Sequence, residues 1–177
     1  LYRDNYKSIE DLSQKELRLA GLRINPKKNI GSRITYYNNV KIKNLKSKNP
    51  EINDIIGIPN NPLIANINWS PNQKNIAFTN TSSDGVRLWF LNLESRSLTK
   101  LSDLKLNSNI GDVINWVNDN EIIVKVIPEN KQNLIDQDGI VPMGPTISSN
   151  EGENAQNRTY QDLLKNITDE FNFEQLV

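Results

Sequence analysis

Two tryptophans, Trp69 and Trp116, end matching triplets 47 residues apart. Ile67-Asn68-Trp69 is echoed by Ile114-Asn115-Trp116, each followed by a turn and a second apolar run. Repetition at that interval restricts the fold. A unit that recurs every 40 to 50 residues cannot bury both of its faces alone and must stack on its neighbour. The hydrophobic period inside each unit is two, which marks strands rather than helices.

The first unit fills residues 63–101. Leu63 to Trp69 reads as a strand, and Ser70-Pro71-Asn72-Gln73 as a turn, with proline presetting the first torsion and Asn tolerating the tight position. Asn75 to Thr79 and Val86 to Leu91 read as the next strands, separated by Ser82-Ser83-Asp84-Gly85. Leu98 to Leu101 supplies a fourth. Four short antiparallel strands in about 40 residues is the spacing of one β-propeller blade. The second unit restarts at Val113, with Asn118-Asp119-Asn120 as its turn and Ile122 to Val126 as its second strand. The packing role expected of both tryptophans is to seat a first strand against the neighbouring blade.

The expected fold is therefore all-β: a partial β-propeller with one complete four-stranded blade, parts of two others and short helical insertions. Residues 1–62 are assigned to a partial blade with a helical insertion. Residues 63–101 form the complete blade, and 102–177 a partial blade with a long loop and a short helix. In the first part, Ser8/Asp11 and Ser13/Glu16 have capping-box spacing, which predicts a short helix ending near Gly21. Leu17-Arg18-Leu19 and Leu22-Arg23-Ile24 also alternate, so an extended second half stays open. Val40 to Lys43 and Ile52 to Ile58 read as two strands. Residues 128–158 form a loop too long for a simple connection, with a gating or docking role as one reading and a plain surface loop as the other. Thr159 with Asp162 starts a helix. Thr168 caps a last turn whose anchors are Phe171, Phe173 and Leu176.

The composition of the 177 residues excludes several kinds of chemistry. There is no histidine and no cysteine, hence no Ser-His-Asp or Cys-His arrangement, no disulfide and no zinc cluster. Twenty-one basic and 21 acidic side chains cancel, which argues against a nucleic-acid surface. The run Lys41, Lys43, Lys46 and Lys48 lacks interleaved aromatics and reads as a solvated edge. No apolar run is long enough for a membrane span. Asp136, Asp138 and Gly139 hint at a calcium loop but lack the remaining acidic ligands, so neither metal nor cofactor is expected. Asn (28), Ile (21) and Lys (14) far outnumber Ala (4), as AT-rich codons produce. The four Asn-x-Ser/Thr matches carry little weight in so Asn-rich a chain.

Asn68-Trp69-Ser70-Pro71-Asn72-Gln73-Lys74-Asn75-Ile76-Ala77-Phe78, followed by Leu88-Trp89, resembles the TolB-type propeller repeat, with Asn72-Gln73 where Asp-Gly is typical. Three further stretches narrow the resemblance: Glu16 to Pro26, Val141-Pro142-Met143-Gly144-Pro145, and Arg158-Thr159-Tyr160-Gln161-Asp162-Leu163-Leu164-Lys165. Together they resemble the amino-terminal half of glutamyl-endopeptidase-like members of the prolyl oligopeptidase family of serine peptidases. The resemblance implies a propeller followed by an α/β-hydrolase domain that holds the catalytic serine, aspartate and histidine. That domain and its Gly-x-Ser-x-Gly elbow are absent from these residues, so the chain itself is expected to be inactive. By the same resemblance its partners are that hydrolase domain and a peptide substrate. The compartment is left open, with periplasm or secretion implied for a bacterial source and chloroplast for a plant one.

The resemblance makes both ends read as cut through a larger ring, with exposed edges and poor solubility expected of the isolated piece. A peptidase that selects acidic residues needs a cation, and arginine's fork suits a carboxylate. Arg23, Arg33 and Arg158, with Arg18, are the candidates for binding an acidic substrate group. The competing reading gives them salt bridges that hold loops. The rival function is a stand-alone TolB-like propeller module for protein interaction.

Overall fold

A computed structural model of the chain describes residues 1–3, 9–46, 48, 51–136, 152 and 163–177. In chain order the described elements are β1 (Tyr2–Arg3), α1 (Ile9–Leu12), β2 (Leu17–Leu19), β3 (Leu22–Asn25), β4 (Ile30–Gly31), β5 (Tyr37–Asn39), β6 (Ile42–Lys43) and β7 (Ile52–Asn53). They continue with β8 (Ile64–Trp69), β9 (Asn75–Ser82), β10 (Gly85–Asn92), β11 (Ser97–Lys100), β12 (Ile114–Trp116), β13 (Ile122–Val124) and α2 (Ile167–Leu176). The chain is all-β with a partial propeller-like architecture, as its alternation predicts.

The centre is the antiparallel meander β8-β9-β10-β11. Its longest ladder runs without a slip from Gly85↔Ser82 to Asn92↔Asn75. Strand alternation sends successive side chains to opposite faces. Ile76 and Phe78 therefore join Ile64, Leu91 and Leu98 on one face. Ala77, Val86 and Leu88 pack on the other with Leu106, Val113 and Ile114. Both faces are buried. The first face is covered by Ile55, Val40 and Ile42 from the amino-terminal part, and the second by the hairpin β12–β13.

The two tryptophan units dock through their first strands. Asn68 Nδ2 donates to the Ile114 carbonyl at 2.9 Å, and Trp116 Nε1 donates to the Asn68 carbonyl at 3.3 Å. Trp116 also lies 6.4 Å from the Phe90 ring centroid, tilted by 53°. Trp116 thus plays the expected packing role. Trp69 does not: it is 52% exposed. The turns touch as well, with Asn72 N donating to Asp119 Oδ1 at 2.8 Å.

Several local readings change. The tight position of the turn after β8 belongs to Gln73, at φ +59°, while Asn72 Oδ1 accepts from Lys74 N at 2.9 Å. The helix expected up to Gly21 stops at Leu12, and no helix follows Ser13, so its capping box with Glu16 does not form. Ala20 (φ +49°) and Gly21 (φ +79°) instead make the two-residue loop of the β2–β3 hairpin. Those positive torsions suit the right-handed twist of the flanking strands. The two strands near Val40 and Ile52 shrink to the short pair β6–β7, and Lys41 Nζ meets Asp54 at 2.9 Å. The edge of β11 is partly covered rather than bare. Ile56 N donates to the Arg96 carbonyl at 2.9 Å, and Leu98 N to the Ile56 carbonyl at 2.8 Å.

Helix α2 is capped by Asn166, not Thr168, with Asn166 Oδ1 accepting from Asp169 N at 2.8 Å. Leu176 buries against Leu19 and Ile24 with the half-buried Phe173 beside them, and Phe171 is half-buried outside that cluster. Asn107 and Asn109 donate to the carbonyls of Val177 and Leu176, which satisfies acceptors that a helix end leaves open. Asn172 exchanges two hydrogen bonds with the Ile135 backbone. The helix therefore fixes the sheet β2-β3-β4 to the segment before residue 137. Most of the 128–158 loop, the Thr159/Asp162 helix start and Arg158 lie outside the described residues.

Candidate functional site

The β2–β3 hairpin places Arg18 directly opposite Arg23. Like charges facing each other across a ladder repel. Glu16, two residues before Arg18 on the same side of the extended chain, resolves this. Its Oε1 accepts from Arg18 Nε and from an Arg23 Nη, each at 3.1 Å. Its Oε2 accepts the Ser32 hydroxyl proton and lies 3.9 Å from Arg33 Nε. Ser32 and Arg33 follow β4, which pairs with β3. Three guanidinium groups and one hydroxyl thus converge on a single carboxylate.

The Ser32 hydrogen bond is the largest influence holding the Glu16 carboxyl below the usual carboxylate range. Burial opposes it, and the Arg18 and Arg23 bonds add to it. The carboxylate is not sealed off: the Glu16 side chain keeps 22% exposure and that of Arg33 keeps 67%. Both border a cleft of about 350 Å³ whose wall also carries Lys15, Arg18 and Lys28. Four cationic side chains line it against two carboxylates, Asp11 and Glu16, in a chain whose overall charge is zero. A second cleft of about 460 Å³ lies across β2, with Leu134, Ile135 and Asn172 in its wall. Lys15 spans its mouth to Asp136 at 2.7 Å, so the first aspartate of the suspected calcium loop is an ion-pair partner.

The structure brings together Arg18, Arg23 and Arg33. It does not describe Arg158. Glu16 is the site residue that sequence reasoning passed over, although a signal existed. Glu16 and Arg18 have strand period two, and the Ala20-Gly21 loop sets Arg23 opposite Arg18. Among the described residues no group of His, Cys, Asp and Glu could hold a metal ion. Among them too, no helix is long and apolar enough to cross a membrane.

Comparison with known proteins gives the relationship. A rice protein (Oryza sativa subsp. japonica) named probable glutamyl endopeptidase, chloroplastic, is 34% identical over 174 residues. The chain is similar to glutamyl endopeptidases. An Arabidopsis thaliana protein of the same name is 32% identical over 173 residues. Each glutamyl endopeptidase match takes in 91% of this chain, yet the chain spans only 18% of the length of either relative. No family model and no solved structure matches the chain.

Proposed function

We propose that this chain is a non-catalytic propeller segment of a serine peptidase of the prolyl oligopeptidase family. Its role is to position peptide substrate for a hydrolase domain carried elsewhere in the protein. Residues 63–101 are its complete blade, and the units on either side are parts of two more. The observation that carries the reading is the convergence of Arg18, Arg23 and Arg33 on one carboxylate at the wall of an open cleft. A site that already satisfies a glutamate side chain has the charge and the fork geometry to take another from a substrate. The name of the relatives fits a preference for that side chain.

The chain itself carries no histidine to act as general base, so binding is separable from hydrolysis. The test is titration of the 177-residue chain with a short peptide containing one glutamate and with its glutamine counterpart. The expected result is selective binding of the glutamate peptide, lost in Arg23→Ala, with no labelling by an active-site-directed serine probe. Equal binding of the two peptides, or labelling by the probe, overturns the proposal.

A further inference from the structure

Glu16 stands in the place of a ligand. Its two oxygens are shared among three hydrogen-bond donors from three separate segments, Arg18 in β2, Arg23 in β3 and Ser32 after β4, with the Arg33 guanidinium in ion-pair range at 3.9 Å. Such a constellation is a carboxylate receptor with its guest supplied by the same chain. Two further observations set Glu16 apart from a buried structural ion pair. It lies one residue before β2, so its main chain is not held in the β2–β3 ladder and can turn with the side chain. It also borders the cleft from which a peptide side chain would arrive.

We propose that Glu16 is an internal competitor that occupies the arginine site, and that an acidic side chain of a peptide binds by displacing it. The inference rests on the reading of the arginines as an acid-binding site, and it adds how that site is regulated. A binding site open for a fraction of the time shows an apparent affinity reduced by that fraction. A resident carboxylate that fills the site nine-tenths of the time weakens an incoming one about tenfold. When Glu16 leaves, Arg18, Lys28 and Arg33 remain on the cleft wall beside Lys15, whose charge is paired with Asp136, and the local cationic excess grows by one charge. Selectivity for anions thus rises as the competitor is withdrawn. Neutral peptides gain less, because an amide oxygen can accept from a freed arginine but brings no opposite charge and only one acceptor atom.

The experiment measures binding of a glutamate tetrapeptide and its glutamine counterpart to the full chain, to Glu16→Gln and to Glu16→Ala. Glu16→Gln keeps the volume and an acceptor for Ser32. Tightening of the glutamate peptide by about tenfold in both variants, with a clearly smaller shift for the glutamine peptide, is expected. Equal affinity of the wild-type chain and the Glu16 variants for the glutamate peptide overturns the inference. In that case loss of binding in Arg23→Ala still upholds the arginine site. Failure of every form to prefer the glutamate peptide removes both readings. A measurement on the wild-type chain covers the case in which the variants do not fold. The carboxyl carbon resonance of isotopically labelled Glu16 should move toward its free position as the glutamate peptide saturates. A resonance that stays fixed while the peptide is bound overturns displacement.

Discussion

Trp116 donates its indole N–H to the main-chain oxygen of Asn68, while Asn68 returns a side-chain N–H to the strand that carries Trp116. This reciprocal pair joins the first strands of the two repeats, while Leu106 links them elsewhere through main-chain bridges to Val86 and Val126. Trp116 also presents its ring to Phe90, so one side chain takes part in both polar and apolar docking beside Val113 and Ile114. Trp116→Ala should destabilise the chain by about 2–4 kcal/mol through lost packing and an unpaired acceptor. Trp69→Ser, at the equivalent but exposed position, should cost less than about 0.5 kcal/mol. Urea denaturation of the two variants checks the contrast, and equal losses would contradict the docking role.

Glu16 gives the chain a stability that depends on pH. Its carboxyl is held below the usual range first by Ser32 and then by the arginines. A group whose pKa falls on folding stabilises the folded state above its unfolded value of about 4.3. That stabilisation is lost as pH drops through the folded value. The stability gap between the wild-type chain and Glu16→Gln should therefore narrow between about pH 6 and about pH 3. Denaturation series at several pH values read this directly, and a gap independent of pH would exclude it.

Gln73 holds a left-handed torsion that costs an L-residue free energy and costs glycine little. Its side chain is exposed. Gln73→Gly should raise stability by about 0.5–1 kcal/mol, measured as a shift in the denaturation midpoint. Destabilisation would mean that the glutamine side chain supports the turn.

Gly57 has the opposite sensitivity. Its φ is +91°, and a Cβ there would sit 2.6 Å from the Leu98 carbonyl oxygen. Gly57→Ala must push residues 56–57 off β11 and weaken the Ile56–Arg96 and Ile56–Leu98 hydrogen bonds. A loss of about 1–3 kcal/mol is expected, with faster amide exchange at Ile56 and Leu98. Exchange rates that match the wild-type chain would show that the segment relaxes freely.

The meander was legible in the sequence because each strand carries its own period and its own turn residues. Ile76 and Phe78 alternate with Ala77 and Thr79, and burial of both faces follows from that pattern alone. The amino-terminal hairpin was only half legible. Its alternation was visible, but Ser13 and Glu16 also match a helix start, and local spacing cannot choose between them. Tertiary contacts chose. The docking of Leu19 and Ile24 on Leu176 favours strands, and Glu16 then meets arginines instead of capping a helix.

The sequence by itself determined the strand content, the 47-residue repeat and the lack of histidine among these 177 residues, since each depends only on residue type and local period. Only the tertiary structure decided that Arg18, Arg23 and Arg33 share one carboxylate. Arg33 lies 10 positions beyond Arg23 in the chain. Its approach to Glu16 requires β4 to fold back along β3. Charge convergence of that kind is a property of sheet order, which no periodicity in a single segment encodes.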